Sequence, residues 1–194
     1  MMVAPLSLMA QKHEFSNGLY WELNGTTLTI SGNGPMKDYS SPWEDKGTVE
    51  KVVIENGVTS IGMCCFWEYE RPHHLKSVVI GNSVTSIGQS AFSHCSSLTS
   101  VSIPNSVTSI GELAFSHCSN LTSVSIPNSV TSIGELAFMG CSNLTSIQSL
   151  PPLCLGRWRV GMEQNIPAHG SGVQIYCGAS KRGTHPSDCF GGRR

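Results

Sequence analysis

Charge is scarce in this chain: only 13% of its 194 residues are Asp, Glu, Lys or Arg, against a usual quarter or so. That excludes a coiled coil and a highly charged disordered chain. Aromatics are few, at 7%. No run of eighteen apolar residues occurs, so no segment reads as a membrane-crossing helix. The formal net charge of −1, with a pI near 6.6, provides no positive field to draw the chain to nucleic acid or anionic lipid. Catalytic signatures are missing too. There is no G-x-S-x-G elbow, no P-loop and no H-E-x-x-H pair, and Gly32-Asn33-Gly34-Pro35 reads as a turn because no third glycine or helix follows. The expectation is a protein that is not an enzyme and needs no cofactor.

What is present is Ser, Thr and Gly in quantity, a composition that favours strands and turns. The length allows one compact domain or one elongated array with end segments. Charge is unevenly placed. From Gln148 onward, Arg157, Arg159, Lys181, Arg182, Arg193 and Arg194 face only Glu163 and Asp188, a balance of +4 against −5 for the rest. Met1 to Ala10 is apolar and ends on a small residue, which fits either a clipped or mis-started secretory signal or an ordinary frayed terminus. Eight cysteines suit an oxidising compartment, but their number alone defines no disulfide.

Self-comparison decides the architecture. Leu98–Cys118 and Leu121–Cys141 differ only at Ser116/Met139 and His117/Gly140, a period of 23 residues. Val84 to Leu98 carries the same marks, and a weaker copy runs from Val49 through Val58 to Phe66. That copy has three extra residues within Trp67 to His74, with Pro72 where the period would put a cysteine. A period of this length with Leu, Val and Ile at strand spacing marks a solenoid whose coils bury their apolar faces by stacking.

Within one coil, Leu121, Val124 and Ile126 make a first strand, Pro127-Asn128-Ser129 turns the chain, and Val130 and Ile133 form a second extended segment ended by Gly134. Ala137 and Phe138 then point inward from a tight helical turn. Equivalent residues should stack about 4.8 Å apart, with Phe66, Phe92, Phe115 and Phe138 as the spine. Tyr20 to Ile30 reads as a hairpin turning at Asn24-Gly25 in a type I′ turn, and Val173–Tyr176 as one returning strand. The expected fold is a mainly β solenoid of about four coils. It comprises residues 1–16 as the terminal stretch, 17–48 as an N-terminal hairpin cap, 49–149 as the array and 150–194 as a C-terminal cap and basic loop-rich tail.

The unit Leu-Thr-Ser-Val-Ser-Ile-Pro-Asn-Ser-Val-Thr-Ser-Ile-Gly-Glu-Leu-Ala-Phe-Ser-His-Cys resembles the BspA-like leucine-rich repeat of bacterial and some protist surface proteins, over residues 49 to 147. Trp21 to Trp43 resembles the hairpin-bearing segment that often precedes such arrays, and Pro151 to Gly156 the start of the segment that often follows; Arg157 to Arg194 departs from that pattern. The resemblance implies a curved solenoid and a secreted or cell-surface interaction role, including attachment to host proteins or other cells. It carries over no catalytic residue and fixes no ligand.

The remaining candidates weigh as follows. Cys95, Cys118 and Cys141 fall one period apart, and three members of one column cannot all pair, so a buried thiol ladder outranks a redox or metal role. His94 and His117 precede two of those cysteines and invite a zinc reading. With Gly140 in the third copy they read instead as a solvated column, as do His73 and His74 in the insertion. Cys154, Cys177, His185 and Cys189 lack paired ligand spacing and read as tail cysteines, with one disulfide at most. Cys65, rather than Cys64, should point inward. Glu112 and Glu135 repeat with the coil and form a surface ladder. No metal site is expected.

The candidate binding residues are Ser77, Ser100, Ser102, Ser123 and Ser125 on the outer face of the first strands, with Trp67 and Tyr69 in the insertion. About five strands expose only about 400 Å², half of one partner's share of a standard interface. The expected function is therefore protein or cell attachment, strengthened by many copies. The alternatives are a structural spacer and a glycan-binding module, the latter requiring Trp21, Trp43 and Trp67 to form an exposed platform.

Overall fold

The computed structural model describes residues 12–16, 18–43, 48–68 and 74–148. They form a β solenoid of about four turns, with no helix among them. The first side of the coils is an eight-stranded sheet in the order β1 (His13–Ser16), β2 (Leu19–Asn24), β3 (Thr27–Gly32), β5 (Lys51–Ile54), β7 (Ser77–Ile80), β9 (Ser100–Ser102), β11 (Ser123–Ser125), β13 (Ser146–Gln148). The second side is a five-stranded sheet of β4 (Gly34–Pro35), β6 (Val58–Ile61), β8 (Ser86–Ile87), β10 (Ser109–Ile110) and β12 (Ser132–Ile133). Successive coils pair in parallel and in register: Val124 lies against Val101, and Ile133 against Ile110. One alternate set of side chains therefore always faces the core.

The third side is not the helical turn expected from Ala137-Phe138. Alternate N–H groups close local turns, from Ala114 to Gly111 O, Ser116 to Leu113 O and Cys118 to Phe115 O. The intervening ones donate to the next coil, from Leu113 to Glu135 O (3.0 Å), Phe115 to Ala137 O (2.8 Å) and His117 to Met139 O. This alternation requires left-handed backbone at Ser90, His94, Leu113 and His117, with φ between 52° and 63°. Each such residue costs about 1 to 2 kcal/mol, offset by a bond between coils that a helix would forgo. All three sides of the coil are thus stitched to their neighbours.

The core follows from this register. Phe66, Phe92, Phe115 and Phe138 stack nearly parallel, with centroids 5.1, 5.3 and 5.4 Å apart. Trp43 extends the stack at 5.5 Å from Phe66, and Phe15 meets Trp43 edge-on at 5.6 Å. The cap is consequently a further coil in disguise. Leu28 and Ile30 pair with Val52 and Ile54, Gly34-Pro35 continues the second sheet, Tyr39 takes the left-handed position, and Trp43 takes the phenylalanine place.

Two local expectations need correction. Asn24 pairs with Thr27, so the hairpin's two-residue loop is Gly25-Thr26 rather than Asn24-Gly25. Only Gly25, at φ 59°, has positive φ there, which is the pattern of a type II′ turn with glycine first. His13–Ser16, expected within a frayed terminus, is an edge strand antiparallel to β2, and His13 stacks on Trp21 at 4.5 Å. The repeat glycine has a spatial role. At Gly111 a Cβ would lie 2.5 Å from the backbone N of Gln89, and at Gly88 2.7 Å from that of Met63. These corners need glycine because backbone rests on backbone.

Candidate functional site

The outer face of the eight-stranded sheet carries the residues expected there. Ser100 and Ser102 are exposed, and Ser77, Ser123 and Ser125 half-buried. Three strands contributed by the N-terminal segment enlarge this face beyond the five anticipated. They add Tyr20 and Glu22, paired across to Ser31 and Thr29, and then Thr29 lies beside Val53. Val53 continues to Val79, which is 50% exposed. Eight strands about 4.8 Å apart, each showing about 17 Å, cover roughly 650 Å², near the 800 Å² or so that one partner contributes to a standard interface. The short apolar row Val53-Val79, missed as an anchor in the sequence, was legible there as the two repeats in which valine replaces the outer serine.

Charge enters this face only locally. Lys51 is exposed beside Ser77, Lys76 pairs with Glu50 at 2.8 Å, and Lys12 sits over the Tyr20 ring at 4.6 Å. On β9 and β11 the outward side chains are hydroxyls.

The insertion divides. Trp67 is half-buried, while Tyr69, Pro72 and His73 lie outside the described residues. Glu68 roots the insertion, its buried carboxylate accepting from the N–H of Leu75 at 2.9 Å. Burial pushes this carboxyl up to about 7, against the opposing effect of that bond. Trp21 and Trp43 are 6% and 3% exposed; committed to the core by stacking, they cannot join Trp67 in a glycan platform.

Cys95, Cys118 and Cys141 are buried and form no disulfide. Each thiol donates to a phenylalanine carbonyl of the preceding coil: Cys95 to Phe66 (3.1 Å), Cys118 to Phe92 (3.2 Å) and Cys141 to Phe115 (3.1 Å). The column is therefore hydrogen-bonded as well as apolar. Burial holds the Cys95 thiol well above its ordinary range. Cys65 is the buried member of its pair, donating to Lys37 O at 3.3 Å, and burial pushes it up to about 11. Cys154, Cys177, His185, Cys189 and Val173–Tyr176 lie outside the described residues. Among the described residues no group of three or more His, Cys, Asp or Glu side chains is placed to hold a metal ion, and no helix is long and apolar enough to cross a membrane.

The chain's similarities agree with this architecture. A comparison with curated proteins found no match. A leucine-rich repeat protein from Eubacterium ventriosum is 27% identical over 71% of this chain and 43% of its own, with a TM-score of 0.54. A leucine rich cell surface protein from Faecalibacterium prausnitzii is 26% identical over 67% of this chain and 37% of its own, with a TM-score of 0.57. The chain thus spans less than half the length of either. The T. pallidum leucine rich repeat protein, 22% identical over 73% of this chain and 72% of its own, shares the fold with a TM-score of 0.55. The profile of the BspA type leucine rich repeat region matches residues 40–153 in six copies. By that match, over more than half its length, the chain belongs to the BspA type leucine-rich repeat family.

Proposed function

We propose that this chain is a non-enzymatic, secreted or cell-surface attachment module whose binding surface is the outer face of the eight-stranded sheet. The observation that carries this is the continuity of the face from the N-terminal hairpin to the last coil, with Val53 and Val79 as its apolar centre. Ser77, Ser100, Ser102, Ser123 and Ser125 supply short hydroxyls around them, and Trp67 and Tyr69 of the insertion are the candidate aromatic contacts. A cell-surface relative of the same fold supports the location.

Among the described residues the face holds no exposed Trp or Arg of the kind that dominates interface energetics, so one copy binds weakly and clustered copies bind well. Binding of the monomer and of bead-displayed protein to immobilised matrix proteins and to a glycan panel tests this. Protein binding that rises steeply with display density is expected. Binding to glycans alone, or to nothing at any density, would overturn it and favour a spacer.

A further inference from the structure

The turn that leads one coil into the next first strand is closed in the same way three times in succession. Leu98, Leu121 and Leu144 each donate their N–H to the carbonyl of the cysteine three residues earlier, at 3.0, 3.0 and 3.1 Å. The turn before β7 departs from this. There Leu75 N–H is received by Oε1 of Glu68 at 2.9 Å, and Pro72 stands where the cysteine would be. A carboxyl side chain thus replaces a backbone carbonyl, and it alone of these four acceptors can take up a proton. Glu68 is turned inward to reach this donor. Its N–H donates to Ser93 O, as those of His94 and His117 donate to Ser116 O and Met139 O, so the three residues share one column. The two imidazoles stack at 4.6 Å, His117 exposed and His94 half-buried, whereas Glu68 is 8% exposed. Among the described residues, the titratable groups around its carboxyl are Cys95 of the next coil, whose thiol is pushed up by burial and then by the Glu68 charge, and His94 in the column. His74 and Lys76 flank Leu75 at exposed positions, with Lys76 held by Glu50 at 2.8 Å.

We propose that Glu68 makes the closure of this turn proton-sensitive: with the carboxyl neutral the turn is shut and the start of β7 is fixed, and ionisation loosens both. The neutral acid keeps a carbonyl oxygen for Leu75 N–H. The carboxylate accepts from the same donor, but burial disfavours the charge more than one N–H favours it, which holds the carboxyl at about 7 instead of near 4.5. In an opened turn the carboxyl meets water and regains its ordinary value, so the proton favours the closed form. Its contribution to closure is therefore complete below about pH 4.5 and is lost as pH rises through about 7. Leu75 is buried two residues before β7, and the N–H groups of Lys76 and Ser77 both donate to Glu50 O. Slack at Leu75 passes directly into the strand that carries the exposed Val79.

The test is amide magnetic resonance of the full chain, in the wild type and in Glu68→Gln, which keeps an acceptor oxygen and cannot ionise. In the wild type the Leu75 amide resonance should titrate with a midpoint near 7, while that of Leu98, bonded to Cys95 O, does not follow it. Leu75 hydrogen exchange, corrected for its intrinsic pH dependence, should accelerate roughly 50-fold from about pH 5 to about pH 8 relative to the glutamine variant. A Leu75 resonance that does not titrate in the wild type would overturn the proposal, whether or not the variant folds. So would a titrating resonance with Leu75 exchange that runs parallel in the two proteins, because the carboxyl would then ionise without loosening the turn.

Discussion

Truncating Phe115 to Ala tests the stacked-coil account at its centre. The ring has no exposed surface and lies between Phe92 at 5.3 Å and Phe138 at 5.4 Å, in planes within 8° of its own. Removal leaves a ring-sized cavity that backbone cannot fill, because Phe115 N–H is bonded to Ala137 O and Cys141 Sγ–H to Phe115 O. Loss of burial plus an uncollapsed cavity costs about 3 to 5 kcal/mol. The two broken ring stacks, at about 0.5 to 1.5 kcal/mol each, place the outcome toward the upper end. Coils are coupled to nearest neighbours, so the damage should also separate the coils before Phe115 from those after it. The assay is urea unfolding followed by tryptophan fluorescence, in which three of the four tryptophans, Trp21, Trp43 and Trp67, precede Phe115 in the chain, alongside circular dichroism for the whole array. Ser123→Ala, at a half-buried outer position, is the control and should shift stability by about 0.5 kcal/mol or less. Equal shifts for the two variants would refute the register.

Three further outcomes follow from the same geometry. Gly111→Ala should cost about 1 to 3 kcal/mol, because its methyl group meets the Gln89 backbone; an unchanged denaturation midpoint would show the coils to be farther apart. Cys95, Cys118 and Cys141 should resist a thiol reagent in the native protein and react on unfolding, since burial disfavours the Cys95 thiolate and shields the column; fast native labelling at Cys118 would contradict this. Glu68, raised to about 7 from an ordinary value near 4.5, holds its proton in the folded state over a range where the unfolded chain has lost it. Its contribution to stability is present below about pH 4.5 and is lost as pH rises through about 7. Glu68→Gln should flatten that part of the stability profile, and an unchanged slope would refute the assignment.

The sequence disclosed most where it repeated itself. Near-identical copies exposed the period, and the spacing of Val101 and Ile103, or Val124 and Ile126, placed the first strand's inward side chains without further information. The phenylalanine spine and the cysteine column followed by counting. What escaped was governed by bonds between coils. Leu113 is a good helix former, and local propensity gives no hint that it adopts left-handed backbone; the next coil's Glu135 carbonyl imposes it. The N-terminal coil escaped because Trp43 stands four residues after Tyr39, whereas Phe66 stands two after Cys64, so no period reveals that the rings stack. The facing of His94 and His117 required coordinates, since a period places two side chains in a column without orienting their rings. For the candidate binding face, the serines were evident, but of the three strands that widen it two came from the segment assigned to capping and one, His13–Ser16, from the stretch assigned to the terminus.

The claim that attachment resides on the eight-stranded face is tested most directly by placing equal charge on each of the two sheets. Val53→Glu with Val79→Glu alters the apolar row of the first sheet. Thr85→Glu with Thr108→Glu alters exposed positions bordering the second, where Thr108 N–H bonds to Thr85 O. With both double variants folded by circular dichroism and displayed on beads at equal density, adhesion to cells is counted. The account predicts that the valine pair abolishes adhesion and the threonine pair leaves it intact. Adhesion that survives the valine pair, or is lost only with the threonine pair, would contradict it.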